Sequence, residues 1–367
     1  MPRSWFLNEA EASDKQRTII RTAVDRSFAV SGSAGTGKTL LAVWRAAELE
    51  KNGLDYLVIV YTKLLKEFIA GGAEEAGLDS NKVYYFEEWE RCEYPKADYI
   101  IADEVQDFDI DKLNLLRQAA HLHFIVFGDS KQQIYEGAPF IHSPLLTVED
   151  IATKFSLRKF LLEENYRLTK KVARVAKEIS ALNDEFYVDL CQYEGDSKPK
   201  LVRCSNRDNI YKFIINRIQK MALDDVGVLL SRNTSVTDVA TDLENLGFPN
   251  EKKDGPGNNG SNISFNSTLP KIMTMHSAKG LQFETVFLPF FTFQNDNDVW
   301  KRVKYVAFTR TYKHVYVLYI DENPFDGIVS RELFDIMNGN DFDDIDTPIK
   351  SITSSYDLDS IDDDLPF

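Results

Sequence analysis

Cysteine is scarce in this chain, with three in 367 residues, at positions 92, 191 and 204. They are far apart, form no CxxC pair and have no histidine at ligand spacing, which argues against a disulfide scaffold or a structural zinc centre and leaves ordinary reduced thiols. Long apolar runs are missing as well. No stretch approaches the ~20 residues that cross a bilayer, and residues 1–8 lack the basic-then-apolar layout of a secretory signal. A cytoplasmic address is expected. Nor is there a surplus of positive charge: 43 Lys and Arg face 58 Asp and Glu, for a net charge of −15. The location of that charge matters more than its size. Residues 341–367 hold nine aspartates and one lysine, Lys350, which accounts for −8 of the total and leaves about −7 on the other 340 residues. A local basic groove fits within such a body.

Short apolar runs separated by helical patterns are what the chain does have. FAVSG (28–32), YLVIVYT (56–62), YIIADE (99–104), FIVFGD (124–129) and KFLLEEN (159–165) are rich in β-branched and aromatic residues, the composition of buried parallel strands. KLVRC, VGVLLSR, KIMTMHS, ETVFLPF and HVYVLYI form a second set, with the helical stretch TKKVARVAKEIS near its start. Two α/β domains in tandem follow, at residues 1–160 and 161–335. Residues 250–266, rich in Gly, Asn, Lys and Asp, are expected to be a mobile surface loop, and residues 336–367 a disordered acidic tail.

Two segments carry recognisable chemistry. Gly32, Ser33, Ala34, Gly35, Thr36, Gly37, Lys38 and Thr39 fit GxxxxGK[ST], after one predicted strand and before a predicted helix. Such a loop wraps phosphate in backbone N–H groups, with Lys38 reaching the β/γ oxygens of ATP and Thr39 available to Mg²⁺. In IIADEVQD an apolar strand ends in Asp103 and Glu104. A metal-bound triphosphate needs one carboxylate at the metal and a second to align the attacking water. On its own that pair reads equally as a solvated loop or a helix cap.

With DEVQD in place, the chain resembles UvrD-like superfamily 1 helicases, and further segments recur in that family's order. GDSKQQIY (128–135) is similar to the third motif and ENYR (164–167) to the fourth. TMHSAKGLQFETVFLP (274–289) is similar to the fifth and YVAFTR (305–310) to the last. The resemblance implies two tandem RecA-like P-loop domains with an ATP cleft between them. It implies Gln16 as an adenine reader, Gln132 as a γ-phosphate sensor, Tyr166 stacked on adenine, Arg167 on the γ-phosphate and Arg310 as an arginine finger. Gly280 and Gln282 join the nucleotide site by the same resemblance. Thr62 and His276 match positions that touch a strand's phosphate backbone, and Tyr61, Phe86 and Tyr135 offer stacking faces, with core packing as the plain alternative for each aromatic.

The chain also departs from the family. Tyr135 is followed by Glu136-Gly137-Ala138 where relatives carry a Trp-Arg pair, and Gln282 stands in place of a more usual glutamate. Accessory insertions are nearly absent, which makes translocation without robust unwinding an alternative. The segment Asp362-Asp363-Asp364-Leu365-Pro366-Phe367 resembles the tip of bacterial single-stranded DNA-binding proteins. That implies docking on proteins that read the tip, or occupation of the chain's own strand groove, against a merely solubilising tail. The expected function is a monomeric ATP-dependent single-stranded DNA translocase and helicase, 3'-to-5' by family, in a bacterium or a phage. The alternatives are an ATP-switched adaptor and an ATPase subunit of a nuclease or phage-defence complex.

Overall fold

The computed structural model describes residues 12–180, 187–255, 263–292 and 297–340. The docking segment 362–367 and most of the acidic tail lie outside them. The chain divides into two compact units: Met1–Leu168 with Asp189–Tyr193, and Thr169–Val188 with Glu194–Phe367.

In the first unit, α1 (Asp14–Ile20) leads to β1 (Phe28–Gly32), α2 (Lys38–Lys51), β2 (Tyr56–Val60), α3 (Lys63–Ala76), β3 (Val83–Tyr85) and α4 (Phe86–Arg91). Then come β4 (Ala97–Ala102), α5 (Ile110–Ala119), β5 (Ala120–Gly128), α6 (Val148–Lys154) and β6 (Arg158–Leu162). The six strands make one sheet in the order β3-β2-β4-β5-β1-β6, every pairing parallel. Helices covering both faces explain why β2 reads as an unbroken apolar run, since all five of its residues are buried. On one face Trp89 has no solvent exposure and packs against Phe86 and Tyr94. Truncating it to alanine is expected to cost roughly 3–5 kcal/mol. In a parallel sheet all the strands' carboxyl ends share one edge, so the loops after β1, β4, β5 and β6 converge there by topology alone.

A two-stranded pair, β7 (Asn165–Thr169) with β8 (Cys191–Tyr193), belongs to the first unit apart from Thr169. The second unit begins with α7 (Lys170–Ser180), whose buried Val172, Ala173, Val175, Ala176 and Ile179 form one helical stripe. It continues with β9 (Lys200–Arg203), α8 (Arg207–Lys220), β10 (Val226–Leu230), α9 (Asn233–Asn245), β11 (Glu251–Lys252) and β12 (Lys271–Thr274). It ends with β13 (Phe283–Pro289), α10 (Asp298–Phe308), β14 (Thr311–Tyr319) and β15 (Asp335–Asn338). Seven strands form a second parallel sheet, ordered β11-β12-β10-β13-β14-β9-β15. The expected α/β class with two parallel sheets is therefore present.

Three expected boundaries move. The division falls at Leu168 rather than residue 160, because β6 pairs with β1 from Phe28↔Arg158 to Gly32↔Leu162 and carries the following turn with it. The stretch 250–266 does not begin as a surface loop: Glu251 and Lys253 are buried, and β11 pairs with β12. Residues 336–338 belong to the sheet, as β15 pairs with β9 from Asp335↔Lys200 to Asn338↔Arg203. Among the described residues no helix is long and apolar enough to cross a membrane.

Candidate functional site

The loop after β1 turns on two left-handed glycines, Gly35 at φ 86° and Gly37 at φ 89°. A side chain would be strained at either. Gly37 is also the N-cap of α2 and has no capping side chain, so the first N–H groups of that helix face the loop. Aiming amides inward turns the carbonyls outward, and each of those has a donor. Lys38 Nζ donates to Gly32 O at 2.8 Å and Ser33 O at 2.9 Å. Asn165 Nδ2 donates to Ala34 O at 2.6 Å, Tyr166 N to Gly35 O at 2.9 Å, and Gln16 Nε2 to Thr36 O at 3.1 Å. Gln16 is itself set by a capping box, in which its Oε1 accepts from Ser13 N and its backbone N–H donates to the Ser13 hydroxyl.

Acidic groups line the neighbouring strand ends. Thr39 Oγ1 donates to Asp103 Oδ2 at 2.6 Å, and Asp103 has no solvent exposure. Burial, with the Glu104 carboxylate alongside, pushes the Asp103 carboxyl up to about 7, against the opposing pull of Thr39 and Lys38. Burial lowers the Lys38 ammonium, which Asp129, Glu104 and Asp103 partly offset. Glu104 sits at φ 56°, a strained conformation for a side-chain-bearing residue, which costs on the order of 1–3 kcal/mol. Its carboxylate accepts from Gln106 Nε2 at 2.5 Å. The other end of that amide, Gln106 Oε1, accepts from Asp129 N at 2.8 Å, and Asp129 Oδ2 accepts from Gln132 Nε2 at 2.6 Å. A buried chain thus joins Glu104, Gln106, Asp129 and Gln132.

The predicted residues of this unit divide between site and core. Gln16, the loop from Gly32 to Thr39, Asp103, Glu104 and Gln132 share the same sheet edge, and Tyr166 and Arg167 reach it through the Asn165 contacts. Arg167 is close enough to Lys38 to depress its pKa further. Tyr166 is half-buried with its hydroxyl on Glu164, and burial with that bond pushes the phenol up to about 12. Phe86 is a core residue, 4% exposed. Tyr135 is buried and stacks on Tyr61 with ring centroids 5.3 Å apart, and Tyr61 meets Phe108 edge-on at 5.1 Å. Thr62 caps α3 by accepting from Leu65 N at 3.2 Å. The plain alternative of core packing therefore describes Phe86 and Tyr135. Asn165, Gln106 and Asp129 join the site without being among the residues expected from the sequence. The asparagine of ENYR, the glutamine of DEVQD and the aspartate of GDSK were the signals available.

In the second unit, Gly280 has φ 81° and precedes half-buried Gln282. His276 is buried, meets the Trp300 ring edge-on at 5.6 Å, and is pushed down to about 4 by burial and by Lys279. Arg310 is 1% exposed, with Nε donating to Val306 O at 2.9 Å, Nη1 to Leu281 O at 3.3 Å and Nη2 to Thr309 Oγ1 at 3.0 Å. That is the setting of a structural guanidinium, tying the end of α10 to the turn before β13.

Residues 16–138 match the family model of an AAA domain, and residues 271–318 match that of the UvrD-like helicase C-terminal domain. A probable DNA helicase of Mycoplasma pneumoniae is 28% identical over 206 residues, 52% of this chain and 35% of that protein. The ATP-dependent DNA helicase PcrA of Bacillus subtilis is 30% identical over 148 residues, 38% of this chain and 20% of that protein. The chain thus spans about a third of the length of the first relative and a fifth of the second. An arterivirus helicase, nonstructural protein 10, aligns over 87% of this chain and 63% of its own at 17% identity, with a TM-score of 0.44. The AAA match covers the glycine loop, both carboxylates and Gln132, which makes the site a P-loop nucleotide site.

Proposed function

We propose that the chain is an ATP-dependent single-stranded DNA translocase and helicase, 3'-to-5' in polarity. The observation that carries the ATPase half is the buried chain Glu104–Gln106–Asp129–Gln132 beside a glycine loop whose carbonyls all face donors. Lys38 exchanges its carbonyl partners for phosphate oxygens when a triphosphate fills the loop. Gln106 orients the Glu104 carboxylate toward the attacking water, and Gln132 responds to the γ-phosphate. Arg167 neutralises charge on the transferred group, and Tyr166 with Gln16 recognises adenine.

Mg²⁺ fits the donor set. A threonine hydroxyl and a carboxylate 2.6 Å apart are hard oxygen donors of the kind Mg²⁺ takes alongside phosphate oxygens and water. Among the described residues no cluster of three metal-ligating side chains exists to bind a metal by itself, which fits an ion that arrives with ATP. Thr39 and Asp103 would hold the ion, which would supply positive charge to offset that of the phosphates.

The DNA half rests on the motif order and on the similarity to the two DNA helicases. DNA binding and partner docking through residues 362–367 belong to the same proposal on sequence alone. The test is ATP hydrolysis with and without single-stranded DNA, followed by strand displacement on a tailed duplex. Stimulation by DNA is expected. A hydrolysis rate indifferent to DNA removes the motor reading and leaves an ATP-switched adaptor.

A further inference from the structure

We infer that Asn165 is a positioning residue that holds the phosphate loop open for nucleotide and fixes Arg167 relative to it. The inference rests on the P-loop reading above and adds to it a residue with no assigned role.

Three observations converge. Asn165 is 1% exposed, and its amide is engaged at both ends: Nδ2 donates to Ala34 O at 2.6 Å, while Oδ1 accepts from Arg167 N at 3.0 Å and Leu168 N at 2.9 Å. The adjacent backbone repeats the contact, with Tyr166 N donating to Gly35 O at 2.9 Å. The approach is also close. A Cβ placed on Gly35 would lie 2.3 Å from Asn165 Oδ1 and 2.8 Å from Arg167 Cβ, so only glycine lets the two segments meet.

The physical consequence follows from peptide geometry. An inward-facing N–H and an outward-facing carbonyl belong to the same rigid peptide plane. Gripping the Ala34 and Gly35 carbonyls from outside therefore orients the next two amides, those of Gly35 and Thr36, toward the phosphate side. In an anion-binding loop that orientation is the binding energy. Lys38 and Gln16 hold the flanking carbonyls, but both come from the start of a helix, whereas Asn165 arrives from 131 positions away in sequence. The same Oδ1 that completes its grip also bonds the Arg167 amide, so loop shape and Arg167 placement share one side chain.

Asn165→Asp isolates this role because it keeps the acceptor for Arg167 and Leu168 while replacing the donor to Ala34 O with a carboxylate oxygen. ATP binding is measured with a fluorescent ATP analogue in the presence of Mg²⁺, on the full chain, with melting temperature followed alongside. At pH 8 the Kd of N165D is expected to rise on the order of tenfold or more relative to wild type, since a buried carbonyl loses its donor and gains a charge. Burial and the Ala34 carbonyl hold such a carboxyl protonated to higher pH than usual, against the opposing pull of the Arg167 and Leu168 N–H groups on its other oxygen, and once protonated it offers an O–H donor. The ratio of N165D to wild-type Kd should therefore shrink as pH falls from 8 to 5.5, whereas the ratio for Asn165→Ala stays constant. A purely structural residue would lower the melting temperature without this pH-dependent recovery. A Kd for N165D within twofold of wild type at pH 8, or a ratio flat with pH, overturns the clamp. Failure of wild type itself to bind, with Lys38→Ala no different, overturns the P-loop reading and the clamp together, so the two failures are distinguishable.

Discussion

The Thr39 hydroxyl donates to Asp103 Oδ2 across 2.6 Å, and Asp103 is wholly buried beside Glu104. Two carboxylates on adjacent residues, with one hydroxyl and one ammonium near them, make a site with an excess of negative charge until a cation arrives. That imbalance sets the first prediction.

Without nucleotide, burial beside Glu104 pushes the Asp103 carboxyl up to about 7 from the ordinary 3.8 of the unfolded chain. Between those values the folded state binds the extra proton, so stability falls as pH rises from 4 to 7 and levels off above it. The expected penalty above pH 7 is on the order of a few kcal/mol. Asp103→Asn should remove it, melting several degrees above wild type at pH 8 in EDTA while losing ATP hydrolysis. The Mg²⁺ concentration needed for half-maximal hydrolysis by wild type should also climb as pH drops below 7. Thermal melts at pH 5, 7 and 8 and a Mg²⁺ titration check both.

Lys38→Ala should reduce ATP hydrolysis by a factor on the order of 10² or more, because the ammonium is the charge that meets the β- and γ-phosphates. The folded state should change little, since removing the lysine ends a desolvation cost as it ends two carbonyl bonds. Steady-state hydrolysis and a urea melt separate the two effects; a variant that hydrolyses ATP normally would contradict the site.

Arg310→Ala should destabilise the second unit by about 3 kcal/mol, as the Val306 and Leu281 carbonyls lose their donors inside a packed core. Hydrolysis is then measured well below the melting temperature. If the guanidinium also serves the transferred phosphate, kcat falls on the order of 10³-fold in the folded variant. An unchanged kcat assigns Arg310 to structure alone.

His276 carries the opposite pH dependence. Its folded value of about 4 lies below the ordinary 6.5, so the unfolded chain takes up the proton first as pH falls. Stability is lost progressively from pH 6.5 down to 4, by up to roughly 3 kcal/mol. His276→Gln should flatten that part of the profile. Denaturant midpoints of wild type and variant between pH 4 and 7 test it, and parallel curves would refute it.

The apolar runs made the strands of both sheets legible except the short edge strands β3, β11 and β15, because a parallel strand buried on two faces must be apolar throughout and its composition alone shows it. GSAGTGKT was legible for a similar reason: a left-handed turn that admits phosphate accepts only glycine at Gly35 and Gly37, and the constraint is written into the residues themselves. The adjacent carboxylates Asp103 and Glu104 at the end of an apolar run were equally local.

Other features depend on where the chain returns. Asn165 reads as one polar residue among many until the fold sets it against Ala34, and Gln106 gains its meaning only when β4 and β5 lie side by side and bring Asp129 to it. Tyr61 and Tyr135 have the composition of stacking platforms, yet they stack on each other, since burial is decided by the elements packed around a ring and not by the ring. Arg310 fits a motif, while its guanidinium is spent on Val306, Leu281 and Thr309. Local sequence determined the backbone's own conformations and the chemical groups on hand; tertiary structure alone decided which groups meet, because a hydrogen bond over 131 positions is specified by the path of the chain.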